Sequence, residues 1–141
     1  MADWLAWQAA LHTVEIELGL ERCSQVAQRL KLLQPRYTVI TVAGTNGKGS
    51  HVAMLDTAYR LAGYRVGTYT SPHLVHYNER IKLAGEPVAD DVICRAFTQV
   101  EAARGEIPLT FFEFGTLAAL VIFAEAAPDI AILEVGMGGR L

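Results

Sequence analysis

Cysteine is scarce in this sequence, with Cys23 and Cys94 the two present. They are far apart and offer neither a disulfide framework nor metal-ligand spacing, so they read as reduced thiols of a cytoplasmic protein. Runs of basic residues are missing too. Lys and Arg are scattered singly and the net charge is −3. That balance argues against nucleic acid as the main partner, because a phosphate backbone rewards clustered cations, and against a basic membrane-surface helix. Long apolar runs are also lacking. The most apolar stretch, residues 115–124, falls short of the roughly 20 residues needed to cross a bilayer. The opening Met-Ala-Asp-Trp has no basic segment followed by an apolar one, so no signal peptide and no membrane partner are expected. No internal repeat or low-complexity segment occurs.

What is present is enough for a core. The chain has 141 residues, about one domain, and a domain of that size buries roughly two thirds of its unfolded surface. Its hydrophobic fraction, 52%, lies slightly above the usual mix, which fits a well-filled core or a surface that meets more protein. Helical spacing of apolar residues covers 3–12 and 20–33, the second ended by Pro35. The period then changes. Residues 37–43 (YTVITVA) form a β-branched run of the kind expected from a strand buried on both faces. A helix is expected over 50–62, stopped by Gly63, and a strand over 65–70, broken at Ser71-Pro72. Residues 80–88 suit a small hairpin turning at Ala84-Gly85. Helices fit 90–104 and 111–127, and a last apolar strand fits 129–135. This alternation implies an α/β fold, a parallel sheet flanked by helices. Ligands of such sheets bind at the carboxyl ends of the strands. Three loops leave from those ends: 44–50, 71–74 and 136–140.

The first of these loops reads Gly44-Thr45-Asn46-Gly47-Lys48-Gly49-Ser50. A phosphate cradle needs inward N–H groups, glycines where side chains would block the approach, and a helix N-terminus behind it. Lys48 can reach the β- and γ-phosphates of ATP, and the Ser50 hydroxyl sits where such loops touch phosphate or Mg²⁺. The spacing G-x-x-G-K-G-S departs from the common P-loop. The plainer alternative is a Gly-rich turn at a strand–helix junction.

Glu134 closes an apolar strand, where a carboxylate is costly to bury without a partner. Mg²⁺ on ATP phosphates would be such a partner, and a strand-end carboxylate reaching solvent is the alternative. Ser71-Pro72 alone is a turn, and His73 and His76 read as loop histidines with nothing nearby to complete a metal set. Thr110-Phe111-Phe112-Glu113 has the spacing of a capping box, although its aromatics could also wall a flat ligand.

Taken in order, GTNGKGS, TSPHL, NERI, LTFFEFGTLAAL and ILEVGMGGRL closely resemble the folylpolyglutamate synthase / dihydrofolate synthase family of the Mur ligase superfamily. The resemblance covers nearly the whole chain, and the extra Gly49 separates it from the Mur ligases themselves. It implies a P-loop NTPase-like, Mur-ligase-type central domain, of which residues 1–141 are the amino-terminal part. Members of the family continue with further metal ligands and a second domain. The implied activity is an ATP- and Mg²⁺-dependent ligase that phosphorylates a dihydropteroate or folate carboxyl group and joins L-glutamate to it, acting as a monomer at full length. By the same resemblance Asn46, Gly47, Lys48 and Gly49 contact the ATP phosphates, with Lys48 and Glu134 in the catalytic role. Ser71 becomes a Mg²⁺ ligand beside Glu134. Thr110, Phe111, Phe112 and Glu113 line the pterin site, joined by Ile16, Glu17 and Leu18 from the segment before the first strand. A Mur-type ligase acting on a cell-wall precursor, or a nucleotide-binding fragment without catalysis, are the other readings. An unpaired sheet edge and an exposed apolar face are expected of such a partial domain.

Overall fold

The computed structural model describes residues 1–11 and 19–136. The elements run α1 (Ala2–Leu11), α2 (Glu21–Arg29), β1 (Thr38–Val42), α3 (Lys48–Leu61), β2 (Val66–Tyr69) and a 3-10 turn (Tyr77–Arg80). Then follow β3 (Ile81–Leu83), β4 (Glu86–Pro87), α4 (Asp90–Arg104), α5 (Phe111–Ala126) and β5 (Ile130–Glu134). They form two compact units: α1, α2, α4 and α5 up to Glu125 make one, and the strands with α3 and the 3-10 turn make the other.

The second unit is a five-stranded sheet in the order β1-β5-β2-β3-β4. Strand β5 pairs in parallel with β1 on one side and β2 on the other. The 80–88 hairpin joins the same sheet antiparallel to β2, so the sheet is mixed rather than purely parallel. Ala84 (φ 52°) and Gly85 (φ 84°) both take left-handed backbone at the hairpin turn, the conformation whose twist matches two antiparallel strands. Helix α3 lies on one face of the sheet. There Val52 packs with Val66, Ile130 and Ile132, and Ile40, Val42, Leu55 and Tyr59 close around them.

Strand β1 corrects the expectation of burial on both faces. Its Ile40 and Val42 turn toward α3, whereas Thr38, Val39 and Thr41 are exposed. Period-2 alternation turns Ile40 and Val42 toward α3 and leaves Val39 and Thr41 pointing the other way, in a strand at the sheet edge.

In the helical unit, α2 ends at Arg29, well before Pro35. Lys31 adopts φ 58°, and the Lys31 and Leu32 N–H groups donate back to Gln28 and Ala27 (3.0 and 2.9 Å). This paired closure uses up the last carbonyls and stops the helix without help from proline. Arg29 also donates to the Ala103 and Arg104 carbonyls at the end of α4. An aromatic cluster fills the interior: the Phe97 and Phe114 rings lie 5.6 Å apart, and Trp4 sits 5.7 Å from Phe97.

Ile132 is wholly buried in the central strand against α3. Ile132→Ala is expected to lower stability by about 2–5 kcal/mol, read as a shifted denaturant midpoint at unchanged slope.

Candidate active site at the strand ends

Parallel register brings three chain segments to one edge of the sheet. Val42 pairs with Glu134 and Tyr69 with Leu133, and Val135 N–H donates to the Val42 carbonyl (2.9 Å). The phosphate loop therefore leaves β1 beside Glu134 on one side, while Ser71 leaves β2 on the other.

Helix α3 begins at Lys48, two residues earlier than the apolar spacing suggests. Gly47 forms its cap with φ 75°, a left-handed conformation that costs most side chains roughly 1–2 kcal/mol. The first helical bond runs from His51 N–H to the Gly47 carbonyl (3.1 Å). The N–H groups of Lys48, Gly49 and Ser50 precede it and have no intrahelical acceptor, so the helix presents donors and its positive end together. A Cβ at Gly49 would meet nothing within 4 Å. The fold itself therefore does not require glycine there, and the space over the helix end stays open to a ligand's close approach.

Two side chains hold the loop. Lys48 Nζ donates to the Gly44 carbonyl (2.8 Å), and His51 Nδ1 lies 2.7 Å from the Gly47 carbonyl. A carbonyl only accepts, so His51 carries its proton on Nδ1. The role of His51 was not foreseen from the motif. Its position one helical turn after Gly47 is the signal that would have found it.

Glu134 is buried, and its Oε2 accepts a hydrogen bond from Ser71 N–H (3.3 Å). That contact joins the carboxylate and the serine named by the sequence. Mg²⁺ takes oxygen ligands and keeps waters and substrate phosphates around it, so it needs one or two protein groups rather than a cage. Among the described residues no group of three or more His, Cys, Asp or Glu gathers. A carboxylate and a hydroxyl at adjacent strand ends, opposite a phosphate loop, fit that donor set.

His73 is not free to act as a ligand through Nδ1. Arg80 Nε donates to that atom (2.8 Å), which leaves the ring proton on Nε2. Burial first, and the Arg80 charge second, push the His73 imidazole below its usual range. His76 caps the 3-10 turn.

Thr110 to Glu113 lie in the helical unit, at the start of α5. They make the capping box in full: Glu113 N–H donates to Thr110 Oγ1 (3.1 Å) and Thr110 N–H to Glu113 Oε2 (2.9 Å). The remaining oxygen of Glu113 accepts from Arg22 Nη2 (3.1 Å). Beside this pair, burial and then the Glu113 charge raise the Cys23 thiol to about 11. Ile16, Glu17 and Leu18 lie outside the described residues, as do residues 137–140 of the third loop.

Comparison with known proteins addresses the resemblance directly. No family model matches the chain. Dihydrofolate synthase/folylpolyglutamate synthase of Escherichia coli K12 is 50% identical over 141 residues, which are 100% of this chain and 33% of the relative. The solved structure of E. coli FolC in complex with DHPP and ADP superposes with a TM-score of 0.96 at 51% identity, covering 99% of this chain and 34% of that one. A bifunctional folylpolyglutamate synthase/dihydrofolate synthase with Mn, AMPPNP and L-glutamate bound gives 0.93 at 51% identity, covering the same shares.

The chain is homologous to these synthases. Its match is to their amino-terminal part, and it spans about a third of the length of the curated relatives it matches. The α/β fold with a mostly parallel sheet is that of the synthases' Mur-ligase-type domains.

The capping box supplies a test of its own. Thr110→Ala is expected to cost about 1 kcal/mol of stability, measured by denaturant unfolding.

Proposed function

We propose that residues 1–141 are the amino-terminal part of the ATP-binding domain of a ligase that joins L-glutamate to dihydropteroate, to folates, or to both. The rest of that domain and a second domain would follow. The observation that carries this reading is the junction of the open α3 N-terminus, Lys48, Ser71 and Glu134 at one end of three neighbouring strands. Identity to the synthases, spread over the whole chain, supports the choice of substrates.

A carboxylate is a poor acyl donor at neutral pH because its leaving group would be an oxide. Transfer of the ATP γ-phosphoryl group to the substrate carboxylate makes an acyl phosphate and releases ADP. The glutamate amine then attacks the acyl carbon, inorganic phosphate leaves, and the amine gives up a proton. The protein contributes positioning and charge neutralisation.

In that scheme the N–H groups of Gly47, Lys48, Gly49 and Ser50, with Asn46 beside them, receive the phosphates. Lys48 exchanges the Gly44 carbonyl for the β- and γ-phosphate oxygens. Ser71 and Glu134 would hold Mg²⁺, which when bound neutralises charge on the phosphates. With Thr110 and Glu113 closed on each other, the half-exposed rings of Phe111 and Phe112 are what that segment offers a flat pterin. Ile16, Glu17 and Leu18 are assigned to the pterin by resemblance alone. The free thiols Cys23 and Cys94 fit a cytoplasmic enzyme, and we take it to be monomeric and to have no nucleic-acid partner.

The test is ATP-dependent addition of glutamate to dihydropteroate by the complete protein, with a muramoyl precursor as the competing substrate. Lys48→Ala is expected to lower the rate by about 100-fold or more, the scale of a lost donor to developing charge. Activity above a tenth of wild type would remove Lys48 from the role, and turnover of the muramoyl substrate instead would replace the reaction.

A further inference from the structure

The segment Asn78-Glu79-Arg80-Ile81 has no part in the site as described, yet it organises the loop that carries Ser71. Residues 70–80 form a closed loop between β2 and β3. At its base, Thr70 N–H donates to the Arg80 carbonyl (2.9 Å). Along its wall, Arg80 holds His73 Nδ1 (2.8 Å) and its guanidinium lies 5.2 Å from the centre of the Tyr77 ring. At its tip, one carboxylate takes three backbone donors. Glu79 Oε2 accepts from Leu74 N–H (2.9 Å), and Glu79 Oε1 accepts from Val75 and His76 N–H (2.8 and 2.6 Å).

Beside these bonds, Glu79 N–H donates to the His76 carbonyl (3.0 Å). Leu74 is 91% and Val75 73% exposed, so neither side chain contributes packing to hold the turn. A loop without buried apolar contacts opens easily unless polar bonds fix it. The three bonds, that from His76 foremost, hold the Glu79 carboxyl down at about 2. It therefore stays ionised, and able to accept all three, throughout the pH range of an enzyme assay.

We propose that Glu79 is a positioning residue, which fixes the 70–80 loop so that Ser71 stands against Glu134 ready to share a divalent cation. The assignment rests on the ligase reading above. Groups one shell away from a metal ligand commonly change affinity or activity by about 10–100-fold when removed, and a carboxylate that sets the ligand's own loop belongs among them.

The experiment uses the complete protein, wild type and Glu79→Ala, with Glu79→Gln as the shape-preserving variant. Three quantities are read: Mn²⁺ affinity in the presence of AMPPNP without turnover, the KM for ATP, and amide hydrogen exchange across residues 71–76. For Glu79→Ala the expected result is about tenfold weaker Mn²⁺ binding, faster exchange at 71–76, and an ATP KM within about twofold of wild type because the phosphate loop is untouched. Glu79→Gln keeps one acceptor oxygen and should fall between the two. Unchanged Mn²⁺ affinity in an active protein would overturn the role of Glu79 and leave the ligase reading standing. Loss of ATP and Mn²⁺ binding together with a lowered melting temperature would also overturn it, as general destabilisation. A wild-type protein that neither ligates nor binds Mn²⁺ with nucleotide would remove both readings.

Discussion

The pairing of β5 between β1 and β2 is the constraint on which the candidate site depends. Both neighbours run parallel to it, so all three strands end on the same side and their loops must leave together. Chain connectivity alone would take β1 through α3 to β2 as adjacent strands. Insertion of β5 between them separates the phosphate loop from Ser71 by one strand width and places Glu134 in the gap. The hydrogen bond from Ser71 N–H to Glu134 then ties the last strand to the second across a sequence separation of 63 residues.

The local devices around this arrangement share a chemical logic. Backbone polar groups that regular structure leaves unpaired are taken up by a few side chains. Lys48 and His51 hold carbonyls of the phosphate loop, Glu79 holds three N–H groups of the Ser71 loop, and Thr110 and Glu113 hold each other's N–H groups at the start of α5. The N–H groups of the first turn of α3 have no helical acceptor of their own, and a phosphate is the ligand they suit.

Much of this was legible beforehand. The change from helical spacing to a β-branched run at residues 37–43, followed at once by glycines and Lys48, specifies a strand, a tight loop and a helix by local chemistry. The hairpin at Ala84-Gly85, the stop of α3 at Gly63 and the capping box at Thr110 were likewise readable, because each depends on residues within four positions of one another. Other features were not. The end of α2 at Arg29, closed by left-handed Lys31, was hidden, since lysine carries no general preference for left-handed backbone. The exposure of β1 was hidden as well, because a β-branched run looks the same in a central strand and at an edge.

The amino-acid sequence by itself determined the order of elements, the phosphate loop and the family resemblance, all of which are carried by short, local spacings. Tertiary structure alone decided which strands lie side by side and that Ser71 meets Glu134. The physical reason is that strand order is set by how apolar faces are buried, a property of the whole sheet. The buried carboxylate of Glu134 takes the partner that this burial brings within hydrogen-bond reach, Ser71, 63 residues away. The carboxylate of half-exposed Glu79 instead bonds neighbours three to five residues away in its own turn.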